Sequence, residues 1–172
     1  SFAPALVNRI DRNTAGIIIA AKNAEALRIL NEKLKQRELH KLYLCIVIGT
    51  PKQKEGILKD YLQKNEKQNK VYVSDKKQTD SKEIATKYKV LSSKNGLSLV
   101  EIELLTGRTH QIRVQFASRK MPLHGDRKYG GSGDSLALFC RKLSFDHPVS
   151  GESMSFTAKP SQHSPWTLFE AL

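Results

Sequence analysis

The stretch "IATKYKVLSSKNGLSLVEIELL", residues 84–105, contains two runs rich in β-branched and apolar residues that meet at Lys94, Asn95 and Gly96. An Asn-Gly pair between two such runs is a strong hairpin signal, because both residues tolerate the positive φ angles that a tight turn requires. The sequence therefore predicts two antiparallel strands here, and we expect an antiparallel sheet as the frame of the fold.

Further strand-like runs flank this hairpin. The run "KLYLCIVIGTP", residues 41–51, is stopped by Gly49 and Pro51, and "LALFCRKLSF" and "ESMSFTAKP" follow towards the C-terminus. The β-branched, apolar run "GIIIAA" at residues 16–21 predicts a buried strand. Residues 52–82 are rich in lysine and alternate only weakly, so we expect a mobile, solvated excursion with short strands at "GILKDYL" and "KVYVS".

Helical spacing of apolar residues occurs in two segments. "NAEALRILNEKLKQREL", residues 23–39, predicts an amphipathic helix with Asn23 as its N-cap. "TGRTHQIRVQFASRK", residues 106–120, also predicts a helix, with Thr109 placed to cap it, and "PWTLFEAL" predicts a short closing helix. Strands in excess of helices, without regular βαβ alternation, predict an α+β fold with a mixed, largely antiparallel sheet and a few flanking helices. We expect residues 1–172 to form a single domain.

The charge balance indicates the kind of partner. The chain has 29 Lys and Arg against 17 Asp and Glu, a net charge of +12, which favours an anionic polymer; charge alone leaves RNA, DNA and an acidic membrane open. The longest apolar run is too short to cross a bilayer and no secretory pattern opens the chain, so we expect a cytoplasmic location without membrane association. Cys45 and Cys140 lie in apolar runs and are expected to be buried hydrophobes, and the scattered histidines predict no metal site.

The stretch "VNRIDRNTAG", residues 7–16, places Asp11 between Arg9 and Arg12. An aspartate in such a position is often only a turn former. The alternative is a carboxylate that works in its charged form as a nucleophile or general base, since a nearby guanidinium favours ionisation.

Two other segments carry residues that suit chemistry. In "GRTHQIR", residues 107–113, Arg108 and Arg113 lie near the start of a predicted helix, either as exposed side chains of an ordinary helix or as ligands for an oxyanion. Tyr43 is either a core residue or a ring that stacks on a base. His110 and His124 have no partner at metal-ligand spacing, which favours a capping or RNA-contacting histidine over a metal ligand.

Together these segments resemble the RluA-type family of pseudouridine synthases. The family's first signature, His-Arg-Leu-Asp-x-x-Thr-Ser-Gly, places its aspartate on Asp11. Its Lys-x-Tyr strand falls on Lys41 and Tyr43, and its Gly-Arg-Thr-His-Gln-Ile-Arg segment is identical to residues 107–113. The resemblance covers nearly the whole chain, with the three motifs in the family's order.

Departures from the family pattern lie in and before the first signature. Asn8 stands in place of histidine, Ile10 in place of leucine and Ala15 in place of serine. Family members also carry catalytic-domain sequence before this signature, beginning near an Asn-Lys-Pro segment, whereas this chain begins ten residues ahead of Asp11. We therefore expect a catalytic domain that is truncated at its N-terminus.

The resemblance implies isomerisation of specific uridines to pseudouridine in structured RNA, with rRNA ahead of tRNA as the substrate. The N1–C1′ bond breaks, the uracil rotates and C5 joins C1′, so the reaction implies no cofactor and no metal. Three catalytic roles follow: Asp11 is the essential carboxylate, Arg113 pairs with it, and Tyr43 stacks beneath the base and could take the C5 proton. RNA contacts are implied for Arg9, Arg12, Lys41, Arg108 and His110.

A monomer is expected, with RNA as its partner. The alternative function is a non-catalytic RNA-binding or RNA-folding module on the same scaffold. Loss of tritium from labelled uridine would distinguish the enzyme from such a module.

Overall fold

Residues 2–169 are described by a computed structural model, and within them lie ten strands and two α-helices. The strands are β1 Ala5–Leu6, β2 Ala15–Gly16, β3 Ala20–Ala21, β4 His40–Ile48, β5 Glu55–Asn65, β6 Lys70–Ser74, β7 Lys82–Lys94, β8 Leu97–Leu104, β9 Leu138–Asp146 and β10 Ser153–Thr157. The helices are α1 Ala24–Lys35 and α2 Gln111–Ser118, and single 3-10 turns occur at Arg127–Tyr129 and Trp166–Leu168.

The main sheet has eight strands and runs in the order β10-β9-β4-β8-β7-β5-β6, with β2 pairing beside β9. All neighbours along this path are antiparallel, whereas β2 is parallel to β9. The remaining two strands, β1 and β3, form a small antiparallel pair of their own. The predicted α+β fold with a mixed, largely antiparallel sheet is confirmed.

The hairpin at residues 84–105 is also confirmed. Strands β7 and β8 pair across a two-residue turn in which Asn95 has a φ of 53° and Gly96 a φ of 74°. Positive φ at both central residues is the geometry that matches the twist of the flanking strands.

Strand β4 lies between β9 and β8, and its residues 43–47 are all buried. Tyr43, Cys45 and Val47 belong to the core cluster that includes Ile112 and Phe116 of α2. The alternate residues of β4 belong to a second cluster with Trp166, on the opposite face of the sheet. A strand covered on both faces is apolar at nearly every position, as this one is. The packing of α2 over β4 brings the helix start close to Tyr43.

Helix α1 begins as predicted. The Asn23 side chain accepts a hydrogen bond from the backbone N–H of Ala26 at 2.8 Å, which satisfies one of the free donors of the first turn. Leu30 is buried in a third cluster with Leu143 and Phe145 of β9. The helix therefore covers the β9 side of the sheet, next to the first signature. The two cysteines, Cys45 and Cys140, are buried and free, as expected.

The prediction of a buried strand at residues 16–21 is wrong. The run is divided between β2 and β3, and Ile18 is 44% exposed. Strand β2 is short, since only Ala15 and Gly16 pair with β9. One further hydrogen bond joins the two segments, from the Ile17 N–H to the Cys140 carbonyl at 3.0 Å. The Ile19 N–H is satisfied by the side chain of Asn8 instead of by a strand.

The strands predicted at "GILKDYL" and "KVYVS" are confirmed as β5 and β6. They are not part of a separate excursion, because both belong to the main sheet and β5 is longer than predicted. Strand β5 is long because its polar residues have partners that are distant in sequence. Asp60 is 8% exposed and accepts hydrogen bonds from Gln115 at 2.7 Å and from Arg119 at 2.9 Å. The sequence pattern of β5 does not indicate that Asp60 is buried, because its partners belong to α2 and to the residue that follows it.

The predicted closing helix is present as the 3-10 turn Trp166–Leu168, and residues 170–172 of that prediction lie outside the described residues. No helix in residues 2–169 has the length and apolar character needed to cross a membrane.

Candidate active site

The start of α2 is built without the predicted cap. His110 occupies the N-cap position with a φ of 55° and makes no capping hydrogen bond, so the prediction that Thr109 caps the helix is wrong. The buried side chain of Gln111 organises the turn instead, accepting from the Arg108 N–H at 3.1 Å and from the Thr106 hydroxyl at 2.8 Å. This network fixes the first turn of α2 and therefore the backbone position of Arg113.

Arg113 is held by a carboxylate that the sequence reasoning missed. Its Nε and Nη2 each donate to one oxygen of Asp126 at 2.8 Å, a bidentate pair in which the Asp126 side chain is only 1% exposed. Burial alone would lower the pKa of Arg113, but the hydrogen bonds and charge of Asp126, together with the charge of Asp11, raise it. The guanidinium is therefore charged and fixed in orientation.

The remaining terminal nitrogen of Arg113 faces Asp11. Arg113 Nη1 lies 3.7 Å from Asp11 Oδ2, an ion pair longer than a hydrogen bond. The Asp11 side chain is 26% exposed, so this carboxylate is open to solvent on one side and supported by a buried cation on the other. Within residues 2–169, Arg113 is the one cation within ion-pair distance of Asp11, although Arg9 and Arg12 are its neighbours in sequence.

Tyr129 covers the other side of the Arg113 guanidinium. The Arg113 Cζ lies 5.1 Å from the centre of the Tyr129 ring, a cation–π contact, and the Tyr129 hydroxyl lies 2.7 Å from His110 Nδ1. Burial, followed by the charge of Arg113, lowers the pKa of His110 below its usual 6.5. The network thus links α2, the 3-10 turn Arg127–Tyr129 and the loop of Asp11.

These side chains surround a pocket of about 420 Å³, within the range of small-molecule sites. Of the residues predicted as site residues, those on its walls are Arg9, Asp11, Lys41, Tyr43, Arg108 and His110. Arg113 lies behind Asp11 and is 7% exposed, whereas Arg12 is exposed and lies off the pocket walls. The structure thus gathers residues from three separate motifs around one cavity.

Tyr43 forms part of the pocket wall but is only 6% exposed. Burial raises the pKa of Tyr43, and the nearby Cys140 and the carboxylate of Asp11 act in the same direction. The hydroxyl therefore stays protonated at neutral pH, and the ring is suited to flat apolar contact with a ligand.

Asp126 and Tyr129 belong to the segment "HGDRKYGG", residues 124–131, whose glycines are typical of a loop and to which no site residue was assigned from the sequence. A signal was present, since a carboxylate and an aromatic ring three residues apart share one face of a helical turn. Nothing in the spacing connected that turn to Arg113, because the contact depends on how the loop folds back onto α2.

A family profile described as RNA pseudouridylate synthase matches residues 1–118 of this chain, more than half of its 172 residues. The chain belongs to the RNA pseudouridylate synthase family. The family predicted from the three motifs is thereby confirmed.

Relatives and solved structures agree with this assignment. A protein of Haemophilus ducreyi named ribosomal large subunit pseudouridine synthase C is 33% identical over 92% of this chain and 52% of its own length. An uncharacterized RNA pseudouridine synthase of Bacillus subtilis, YhcT, is 39% identical over 85% of this chain and 49% of its own length. The solved structure of human RNA pseudouridylate synthase domain containing 1 shares the fold, with a TM-score of 0.81 and 22% identity over 93% of this chain and 70% of that one. The chain spans about half the length of the curated relatives that it matches.

Proposed function

We propose that this chain carries the catalytic centre of an RNA pseudouridine synthase, in which Asp11 is the reacting carboxylate. The observation that supports this proposal is the Asp11–Arg113 pair at the pocket, with an Nη1–Oδ2 distance of 3.7 Å and only the Asp11 side open to solvent. An ordinary turn aspartate has no need of a buried guanidinium that is itself held by a second carboxylate.

The reaction suits such a centre because it is an isomerisation. The N1–C1′ bond of uridine breaks, C5 bonds to C1′, the C5 proton leaves and N1 gains a proton, so atoms and charge balance without an external reactant. Asp11 acts at the sugar or the base, as a nucleophile at C1′, as a nucleophile towards the uracil ring, or as the base that removes the 2′ proton. Each route requires a carboxylate aimed at a nucleotide in the pocket.

Arg113 acts through Asp11, as a positioning residue. Its fork is occupied by Asp126, so Nη1 has little freedom to move away from Asp11. Orientation of this kind matters because small misplacements of a reacting group reduce rates by large factors.

Tyr43 stacks on the target base in this proposal. Since its pKa is raised, the neutral hydroxyl is a poor acceptor for the C5 proton, and we favour stacking over proton removal. A uridine within structured RNA must leave its stack to reach the pocket, at a cost of roughly a few kcal/mol.

In this proposal the RNA is contacted by four residues of the pocket walls, Arg9, Lys41, Arg108 and His110. The exposed Arg12 contacts a phosphate outside the pocket. Ribosomal RNA is our preferred substrate over transfer RNA, because two of the relatives are named ribosomal large subunit pseudouridine synthase C. Most of these contacts would be made to the backbone, so affinity should decrease steeply with salt.

Tritium release from RNA labelled at C5 of uridine tests the proposal. Wild type should release tritium from ribosomal RNA fragments, and Asp11→Asn, which keeps the shape of the side chain, should bind the same RNA but release none above background. Asp146→Asn is the control, because Asp146 is an exposed carboxylate at the far end of β9. RNA binding without release by wild type would favour the non-catalytic RNA-binding module and contradict catalysis by this chain.

A further inference from the structure

A second cleft adjoins the candidate pocket on the side of α1. It has a volume of about 730 Å³ and shares Arg9, Lys41, Leu104 and Gly107 with the walls of the pocket. A polymer with one unit in the pocket therefore has a continuous path into this cleft.

The walls of this cleft are strongly basic. Their cationic and imidazole side chains are Arg9, Lys35, Arg37, His40, Lys41 and Lys142. Within residues 2–169, Glu103 is the one carboxylate on these walls, and it lies 3.6 Å from Lys87 of the neighbouring strand β7. Lys35 pairs with Glu32 at 3.8 Å, whereas Arg9, Arg37, Lys41 and Lys142 have no carboxylate of residues 2–169 within ion-pair distance.

Arg37 is oriented towards the cleft by a contact within the chain. It follows the C-cap of α1 in the left-handed conformation, with a φ of 60°, and its Nη1 donates to the carbonyl of Leu105. The guanidinium has further N–H donors available for a planar oxyanion contact. This arrangement reduces the conformational entropy that a long side chain otherwise loses on binding.

Lys41 lies close enough to Arg37 for their charges to interact. Burial lowers the pKa of Lys41, the nearby Cys140 opposes this, and the charge of Arg37 lowers it further. Among residues 2–169 no carboxylate lies within ion-pair distance of Arg37, Lys41 or Lys142. An anion between Arg37 and Lys41 would relieve their mutual repulsion.

We propose that this cleft binds backbone phosphates of the RNA strand next to the target nucleotide, with Arg37 and Lys142 as contacts outside the catalytic pocket. The inference rests on the proposed function, because it assumes that a nucleotide of RNA enters the pocket. These contacts recognise the phosphate backbone and not the bases. They therefore increase the affinity for RNA and orient the bound strand, without adding sequence specificity.

Salt-dependent RNA binding by Arg37→Ala and Lys142→Ala tests this inference. The control is Lys94→Ala, because Lys94 lies at the Leu97 end of β8 whereas the cleft lies at the Leu104 end. Seven residue steps along a strand separate these ends by roughly 23 Å. The probe is a fluorescein-labelled stem-loop RNA with uridines in its loop, followed by anisotropy from about 50 to about 300 mM salt.

Each cleft variant should reduce the slope of log K against log salt by about 0.7–0.9, which is roughly a fivefold to eightfold weaker affinity at 0.1 M salt. Lys94→Ala should match wild type, and circular dichroism should show all three variants folded. Cleft variants that bind like Lys94→Ala would overturn the inference.

Tritium release by the same proteins separates this inference from the proposed function. Weakened binding by the cleft variants, together with no release by wild type, would support the cleft and contradict the catalytic proposal. Release by wild type, together with unchanged binding by both cleft variants, would contradict the cleft alone.

Discussion

Replacement of Gly16 by alanine should destabilise the fold and displace the loop that carries Asp11. Gly16 has a φ of +115° and pairs with β9, and a Cβ at this position would overlap the backbone N and O of Cys140. These are backbone atoms of β9, which is held in place by β4 on its other side, so the overlap is relieved only by moving β2 away from β9. The loop of residues 11–14 directly precedes β2 and would move with it.

The size of the effect follows from comparison with Gly96. Gly96 has a φ of +74° and no atom within 4 Å of an added Cβ, so Gly96→Ala measures the backbone cost alone, about 1–2 kcal/mol. Gly16→Ala carries at least this backbone cost and adds an overpacking cost of about 1–3 kcal/mol. We therefore expect a loss of about 2–5 kcal/mol in the free energy of unfolding for Gly16→Ala.

Urea denaturation measures the free energy of unfolding of Gly16→Ala and Gly96→Ala. Equal m-values would show that the unfolded states of the two variants are comparable. At a temperature where both are folded, Gly16→Ala should release tritium more slowly than wild type and Gly96→Ala at the wild-type rate. Equal destabilisation by the two substitutions would refute the close packing of β2 against β9.

Three further substitutions, together with one control, test the pocket. Asp126→Asn should lower the free energy of unfolding by about 3–5 kcal/mol, because the buried Arg113 loses its bidentate carboxylate and keeps only the longer ion pair to Asp11. It should also slow tritium release by the folded protein. Asp60→Asn weakens another buried pair and should lower stability while the rate stays at the wild-type value; equal rates for the two variants would contradict a positioning role for Asp126. Because the pKa of His110 is lowered in the folded state, the unfolded chain binds more protons below about pH 6.5, and stability is lost as the pH falls. His110→Asn is a suitable variant because asparagine tolerates the left-handed conformation. In urea titrations it should lose less stability than wild type between about pH 7.5 and about pH 5.5. An equal loss would contradict a lowered pKa of His110 as the cause. Tyr43→Phe should release tritium at close to the wild-type rate if the ring stacks, whereas a loss of roughly 10²–10⁴-fold would assign the hydroxyl to proton transfer.

The parts of the fold that could be predicted are those fixed by local pattern. The Asn95-Gly96 turn, the Asn23 cap and the continuous apolar run of β4 each carry a short-range signal, and each is present in the structure. The isoleucine run at residues 17–19 shows where local pattern fails. Its composition favours a strand, but the approach of Gly16 to Cys140 and the hydrogen bond from Ile19 to Asn8 decide the backbone path, and both partners are distant in sequence.

A short strand was predicted at "GILKDYL", but the full length of β5 was not, for a related reason. A buried aspartate in a lysine-rich segment indicates a loop unless its partners are known, and the partners of Asp60 lie in α2 and just after it. Burial of a polar group requires these hydrogen bonds, so sequence pattern alone gives the wrong answer where tertiary contacts supply them.

The site divides in the same way. The motifs pointed to Asp11, Tyr43 and Arg113. Asp11 and Tyr43 line one pocket, and Arg113 lies behind Asp11. The bidentate pair between Asp126 and Arg113 was not predictable from spacing, because Asp126 lies in a loop that folds back onto α2.

Arg113→Lys tests the central claim most directly, since lysine keeps the charge but cannot bond Asp126 in a fork and face Asp11 at the same time. We expect single-turnover tritium release to slow by roughly 100-fold while RNA affinity stays near the wild-type value. A wild-type rate, or a loss that lies entirely in RNA affinity, would contradict the account.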